Sequence, residues 1–138
     1  MRLIAVGLVL LLITGALARR AAKQCTKTEA IAAEQEAESL KTWDQIYHSY
    51  NRFSHCDDAA IAEGYSESVT KLLADDWNSF NRLLSLTNRN TAFRAFVLKH
   101  LDDTVPADRL AKIANHARSN CPAKGRSLCV SIAKAAGE

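Results

Sequence analysis

Between Ile61 and Leu84 the large apolar residues Ile61, Tyr65, Val69, Leu72, Leu73, Trp77, Phe80 and Leu84 return every three or four positions. That is the period of a buried helical stripe, so any fold of this chain must cover one long helical face. Just upstream, Ser54, Asp57 and Asp58 put short oxygen-bearing side chains where the free N–H groups of a first turn need acceptors, and where negative charge suits the positive helix end. The spacing predicts a helix from about Asp57 to Ala74, with a bend near Ala74 to Asp76 where Asp75-Asp76 offers a second cap. Gly64 falls inside it. An interior glycine costs about 1 kcal/mol relative to alanine, which marks either the close approach of another backbone or a tolerated weakness.

The rest of the chain reads as helix as well. Five glycines and two prolines in 138 residues leave few breaks, and the abundant Ala, Leu, Glu, Lys and Arg favour helix locally. The expectation is an all-α fold: a small, disulfide-containing, single-domain bundle of five or six helices. A first helix runs unbroken from Glu29 to Phe53, burying Leu40, Trp43, Tyr47 and Tyr50, with Glu34, Gln35, Glu36 and Glu38 on a solvated face. After the polar break Thr87 to Asn90, a helix over Thr91 to Asp103 carries Phe93, Phe96, Val97, His100 and Leu101 on one side. Pro106 takes a first helical position behind Thr104 as cap, Asn120-Cys121-Pro122 ends that helix, and a short last one spans Gly125 to Ala135.

The amino terminus is a separate object. Met1-Arg2, the apolar run Leu3 to Ile13 and the small-x-small pattern Ala16-Leu17-Ala18 predict a secretory signal over residues 1–18. The apolar run falls short of the about 20 residues a membrane span needs, so no stable anchor is expected once the signal is removed. Residues 19–28, with four bases and no hydrophobic period, read as a flexible lead-in, and residues 29–138 as the helical domain. Export implies an oxidising compartment.

Charge is unevenly placed. From Glu29 to Asp76 there are 11 acids and three bases, and from Trp77 to Glu138 four acids and ten bases. The near balance over the whole chain argues against nucleic acid as partner. The asymmetry suits packing of the protein's own helices, self-association, or capture of a basic protein surface.

Four cysteines in a small exported domain allow three full pairings. If Glu29 to Phe53 is one helix, it spans roughly 37 Å, and bridged Cα atoms lie within about 7 Å, so Cys25 and Cys56 meet only if the tail folds back. Cys121 and Cys129 flank a tight connection and are the first choice for a bridge. Cys56 with either of them competes, leaving Cys25 to pair weakly or between molecules.

Enzymatic chemistry finds little support. His55-Cys56-Asp57 holds a thiol, a base and a carboxylate, but adjacent residues seldom converge on one reacting atom. Paired C-x-x-C or H-x-x-x-H spacings, a calcium loop, a phosphate-binding glycine loop and a dinucleotide fingerprint are absent. No metal and no catalytic residue is expected. Asp57, Asp58, Glu63, Ser66 and Glu67 are the candidate partner-binding residues, with Glu63, Ser66 and Glu67 lying away from the apolar stripe and ordinary capping as the plain alternative for the two aspartates.

The segments RFSHCDDAAIAEGYSESVTKLLADDW, TAFRAFVLKHLDDT and IANHARSNCP resemble those of periplasmic immunity proteins that protect bacteria from peptidoglycan amidases delivered by type VI secretion. The resemblance implies a small, all-helical, periplasmic homodimer whose partner is an amidase toxin. It would occlude the toxin's cysteine-histidine active site, bind no cofactor and catalyse no reaction. A periplasmic helical binding or envelope-stress protein with another partner is the alternative.

Overall fold

A computed structural model describes residues 22–137. The expected signal, residues 1–18, lies outside the described residues. Seven α-helices follow one another: α1 Lys27–Ala37, α2 Trp43–Phe53, α3 Ala59–Asp75, α4 Phe80–Arg89, α5 Thr91–Lys99, α6 Ala107–Ser119 and α7 Arg126–Ala135. Short 3₁₀ turns occupy Ser54–Cys56, Trp77–Ser79 and Ala123–Gly125, and the described residues include no strand. The all-α reading holds, with seven helices in place of five or six.

The extra helix comes from a break in the stretch expected to run unbroken from Glu29 to Phe53. Ser39 Oγ donates to Glu36 O at 3.0 Å, closing the end of α1. Thr42 then caps α2 by accepting from Gln45 N at 3.2 Å, while Gln45 Oε1 takes the N–H of Lys41 at 2.7 Å. These side chains satisfy the backbone groups that a continuous helix would have paired internally, so the chain reverses without glycine or proline. At the one bend that was expected, α3 ends at Asp75, and Ser79 Oγ both donates to Asp76 O at 2.7 Å and accepts from Trp43 Nε1 at 2.9 Å. Thr104 does not cap α6; its hydroxyl donates to Asp102, and Pro106 directly precedes the first helical residue Ala107.

Helix α3 is the axis. It packs against α1 and α2 on one side and α6 on the other, while α4 pairs with α5 and α7 lies on α5 and α6. Tyr65, Val69 and Leu73 from its stripe are fully buried among Ile46, Leu83, Phe93, Val97 and Ile113. Tyr65, Phe93 and Phe96 join Tyr47, Tyr50 and His100 in one aromatic cluster with ring centroids 4.5–6.2 Å apart.

Two disulfides fasten the bundle. Cys121–Cys129 is present as expected, tying the turn after α6 to α7. Cys25 pairs with Cys56, against the expectation that a straight helix keeps them apart; the break at Ser39–Thr42 lets α1 fold back and brings their Cα atoms to 4.9 Å. The lead-in is therefore anchored from Cys25, and α1 begins at Lys27 behind a capping box of Thr26 and Glu29. On loop entropy, the 31-residue separation of Cys25–Cys56 is worth about 3.7 kcal/mol and the 8-residue separation of Cys121–Cys129 about 2.5 kcal/mol. Urea unfolding of the two double-serine variants should rank them in that order, with Cys25→Ser/Cys56→Ser the less stable.

Candidate functional site

The five residues expected to face a partner separate into two groups. Asp58 lies on the surface, where it starts α3 and accepts from Ala59 N at 2.8 Å. Ala59 itself adopts φ 46°, a left-handed conformation that a non-glycine residue enters at a cost and that lets the chain turn sharply into the helix. Glu63 is exposed and Glu67 half-buried, one turn apart on α3. Asp57 and Ser66 belong to the interior: the Asp57 side chain retains 6% of its exposure and Ser66 4%. Ser66, placed by periodicity away from the stripe, is buried because α5 and its His100 close over that side of α3.

His100 joins the two. Its Nδ1 lies 3.0 Å from Ser66 Oγ and its Nε2 lies 3.2 Å from Asp57 Oδ2, the second contact being off the line of a well-formed hydrogen bond. Lys99 Nζ donates to the same carboxylate oxygen at 2.9 Å and to Asp57 O at 3.3 Å. Beside this group, Ser49 Oγ and Tyr65 Oη share a buried hydrogen bond of 2.7 Å. Burial alone would raise the Asp57 carboxyl; the close approach of His100 and the hydrogen bond from Lys99 outweigh it and hold Asp57 below its ordinary range. The aspartate thus joins the start of α3 to the end of α5 and is not free to meet a partner.

The surface group is larger than the sequence suggested. The Cβ that Gly64 lacks would lie 2.9 Å from Ala37 Cβ and 3.1 Å from Glu38 N, so glycine is what allows the end of α1 to rest on α3. One turn on, Ser68 Oγ donates to Ala37 O at 2.6 Å, taking up a carbonyl the helix end leaves unpaired. This contact sets Glu34 and Glu38 of α1 beside Glu63 and Glu67 of α3 around a groove of about 240 Å³. On the far side of α3, Glu63 and Glu67 also border a groove of about 370 Å³ whose other walls are Ser66, Thr104, Val105, Pro106 and Arg109. Glu63 and Glu67 form an acidic ridge between two grooves.

The ridge is only partly neutralised. Arg109 and Lys71 both pair with Glu67, and their hydrogen bonds hold its carboxyl below the usual range, so it stays ionised. Glu34, Glu38 and Glu63 make no ion pair with the described residues, and Glu34 and Glu38, on the face expected to be merely solvated, wall this groove. Elsewhere the two charge halves do neutralise each other: Arg82 pairs with Asp44, Lys99 with Asp57 and Lys112 with Asp75. What the site offers chemically is concentrated negative charge on rigid helices. No protein-family model, curated protein or solved structure matches the chain.

Because Asp57 is depressed in the folded state, its contribution to stability is complete above the ordinary carboxylate range, about pH 4, and is lost as pH falls through its lower folded value. Asp57→Asn should therefore cost roughly 2–3 kcal/mol at pH 7. Urea unfolding of wild type and variant should show that difference narrowing below about pH 4.

Proposed function

We propose that the protein is an exported immunity protein that binds a secreted peptidoglycan amidase and blocks its active site. The observation that carries this reading is the convergence of Glu34, Glu38, Glu63 and Glu67 on one groove between α1 and α3, three of them without a cation partner among the described residues. A cysteine-histidine active site is electropositive around its thiolate, and a fixed acidic ridge meets such a cleft with complementary charge and little loss of conformational freedom. Two disulfides fit the oxidising periplasm that this role requires. Homodimerisation belongs to the same proposal.

A second reading, a small hydrolase, is favoured by the order Asp57, His100, Ser66 beneath the groove that Ser66 helps to line. Ser66 sits in the middle of α3, where the neighbouring backbone N–H groups belong to the helix ladder, so a developing oxyanion finds no preorganised pair of donors there. The binding role uses the exposed residues and leaves the buried group to hold the fold.

The test is a purified cysteine-histidine amidase encoded beside this protein. One equivalent should stop its cleavage of peptidoglycan, and Glu34→Lys/Glu63→Lys should weaken the complex at least tenfold without lowering thermal stability, mainly through slower association at low salt. Excess protein leaving cleavage unchanged for every neighbouring amidase would end the proposal. Covalent labelling of Ser66 in the native chain by a fluorophosphonate would put the hydrolase in its place.

A further inference from the structure

Cys25 and Cys56 close the amino-terminal disulfide beside two side chains that the fold has brought to the same point from different elements. His55 immediately precedes Cys56 in the 3₁₀ turn, and Glu29 lies in the first turn of α1. A Glu29 carboxylate oxygen, a His55 ring nitrogen and Cys56 Sγ all lie within 4.8 Å of one another. His55 Nε2 is buried and makes no well-formed hydrogen bond; Glu29 Oε1 lies 3.3 Å away but poorly aligned. A buried, unpaired imidazole nitrogen aimed at a carboxylate and a sulfur is a costly arrangement for a side chain whose role is packing alone.

Glu29 is already oriented. Its Oε2 is held in the capping box by Thr26 N at 3.1 Å and Thr26 Oγ1 at 2.9 Å, which leaves Oε1 turned toward His55. The cation now at Oε1 is Lys23 Nζ at 2.7 Å, on a side chain that keeps 64% of its exposure and can swing into solvent. Cys25 is exposed, and the surroundings of the bridge form an open groove of about 370 Å³, so both a reductant and an ion can reach it.

We propose that, once this disulfide is reduced, Cys25, Cys56, His55 and Glu29 bind a single zinc-class divalent cation. The ligand set of two thiolates, one imidazole and one carboxylate suits four-coordinate zinc, whose ligand atoms stand about 3–4 Å apart. Reduction by a dithiol passes two electrons and two protons to the bridge, giving two thiols and the reductant's own disulfide. Metal binding then displaces both thiol protons, and Lys23 leaves Glu29. The ion takes over the role of the covalent bond, keeping the start of α1 tied to the Ser54–Cys56 turn when the bridge is open. The ridge on α1 and α3 plays no part in this site, so the inference stands apart from the proposed function.

The experiment uses the full chain and cobalt(II) as the spectroscopic probe. The chain is reduced with a water-soluble phosphine, which consumes one water per bridge and leaves as its oxide. Anaerobic titration should give one equivalent of thiolate-to-cobalt charge transfer in the near ultraviolet, with the visible bands of a tetrahedral site, and the oxidised chain should give neither. His55→Ala and Glu29→Ala, which keep both cysteines, should each weaken binding at least tenfold. A Cys121→Ser/Cys129→Ser background should leave the spectrum in place, and zinc should raise the melting temperature of the reduced chain. Unchanged affinity in both His55→Ala and Glu29→Ala, or a spectrum that needs Cys121 and Cys129 instead, would overturn the assignment.

Discussion

The end of α1 rests on α3 at Gly64, and the rest of the amino-terminal half depends on that contact. A methyl group at position 64 would meet Ala37 Cβ at 2.9 Å, so the two helices could not close to their present distance. The contact buries Ala33 and Ala37 completely and lets Ser68 reach the Ala37 carbonyl. It also sets carboxylates of α1 next to carboxylates of α3, an arrangement that repels itself. Apolar burial, the Ser68 hydrogen bond and the Cys25–Cys56 bridge hold it closed against that repulsion.

Seen along the chain, the acidic first half and basic second half do what oppositely charged halves of one domain commonly do. Arg82, Lys99, Arg109 and Lys112 each reach back to an acid of the first half. Exposed pairs of this kind contribute little individually, about 0–1 kcal/mol, whereas the buried group of Asp57, His100 and Ser66 is costly to break because it leaves an uncompensated charge. Arg109 and Lys71 neutralise Glu67, whereas Glu34, Glu38 and Glu63 along the α1–α3 groove meet no cation among the described residues. That unbalanced charge is the feature on which the proposed binding role rests.

Much of this was legible in the sequence and some was not, for identifiable reasons. The stripe from Ile61 to Leu73, the helix beginning at Thr91 and the Cys121–Cys129 bridge follow from periodicity and from short connections. Beyond the bend, by contrast, Trp77 and Leu84 are only half-buried, and α4 runs on through Thr87 to Arg89, turning Leu83, Leu86 and Thr87 inward. The break before Trp43 was hidden because no glycine or proline marks it. Thr42 followed three residues later by Gln45 is the signal that could have found it, being a helix-start pattern in mid-run. Missing that break kept Cys25 from Cys56. His100 was legible as a residue on an apolar face, yet not as the partner of Asp57 and Ser66, since that contact spans 34 to 43 residues of chain. Glu34 and Glu38 gained meaning only when Gly64, flagged as either a close approach or a weakness, proved to be a close approach.

The site is therefore a property of packing more than of any short motif. Residues 52–77 supply the ridge, and α1 supplies its opposite wall. Hydrogen exchange with and without the proposed amidase partner tests this most directly. New amide protection should be confined to residues 34–38 and 60–67, with α6 and α7 unchanged. Protection on α6 and α7 with none along the α1–α3 groove would contradict it.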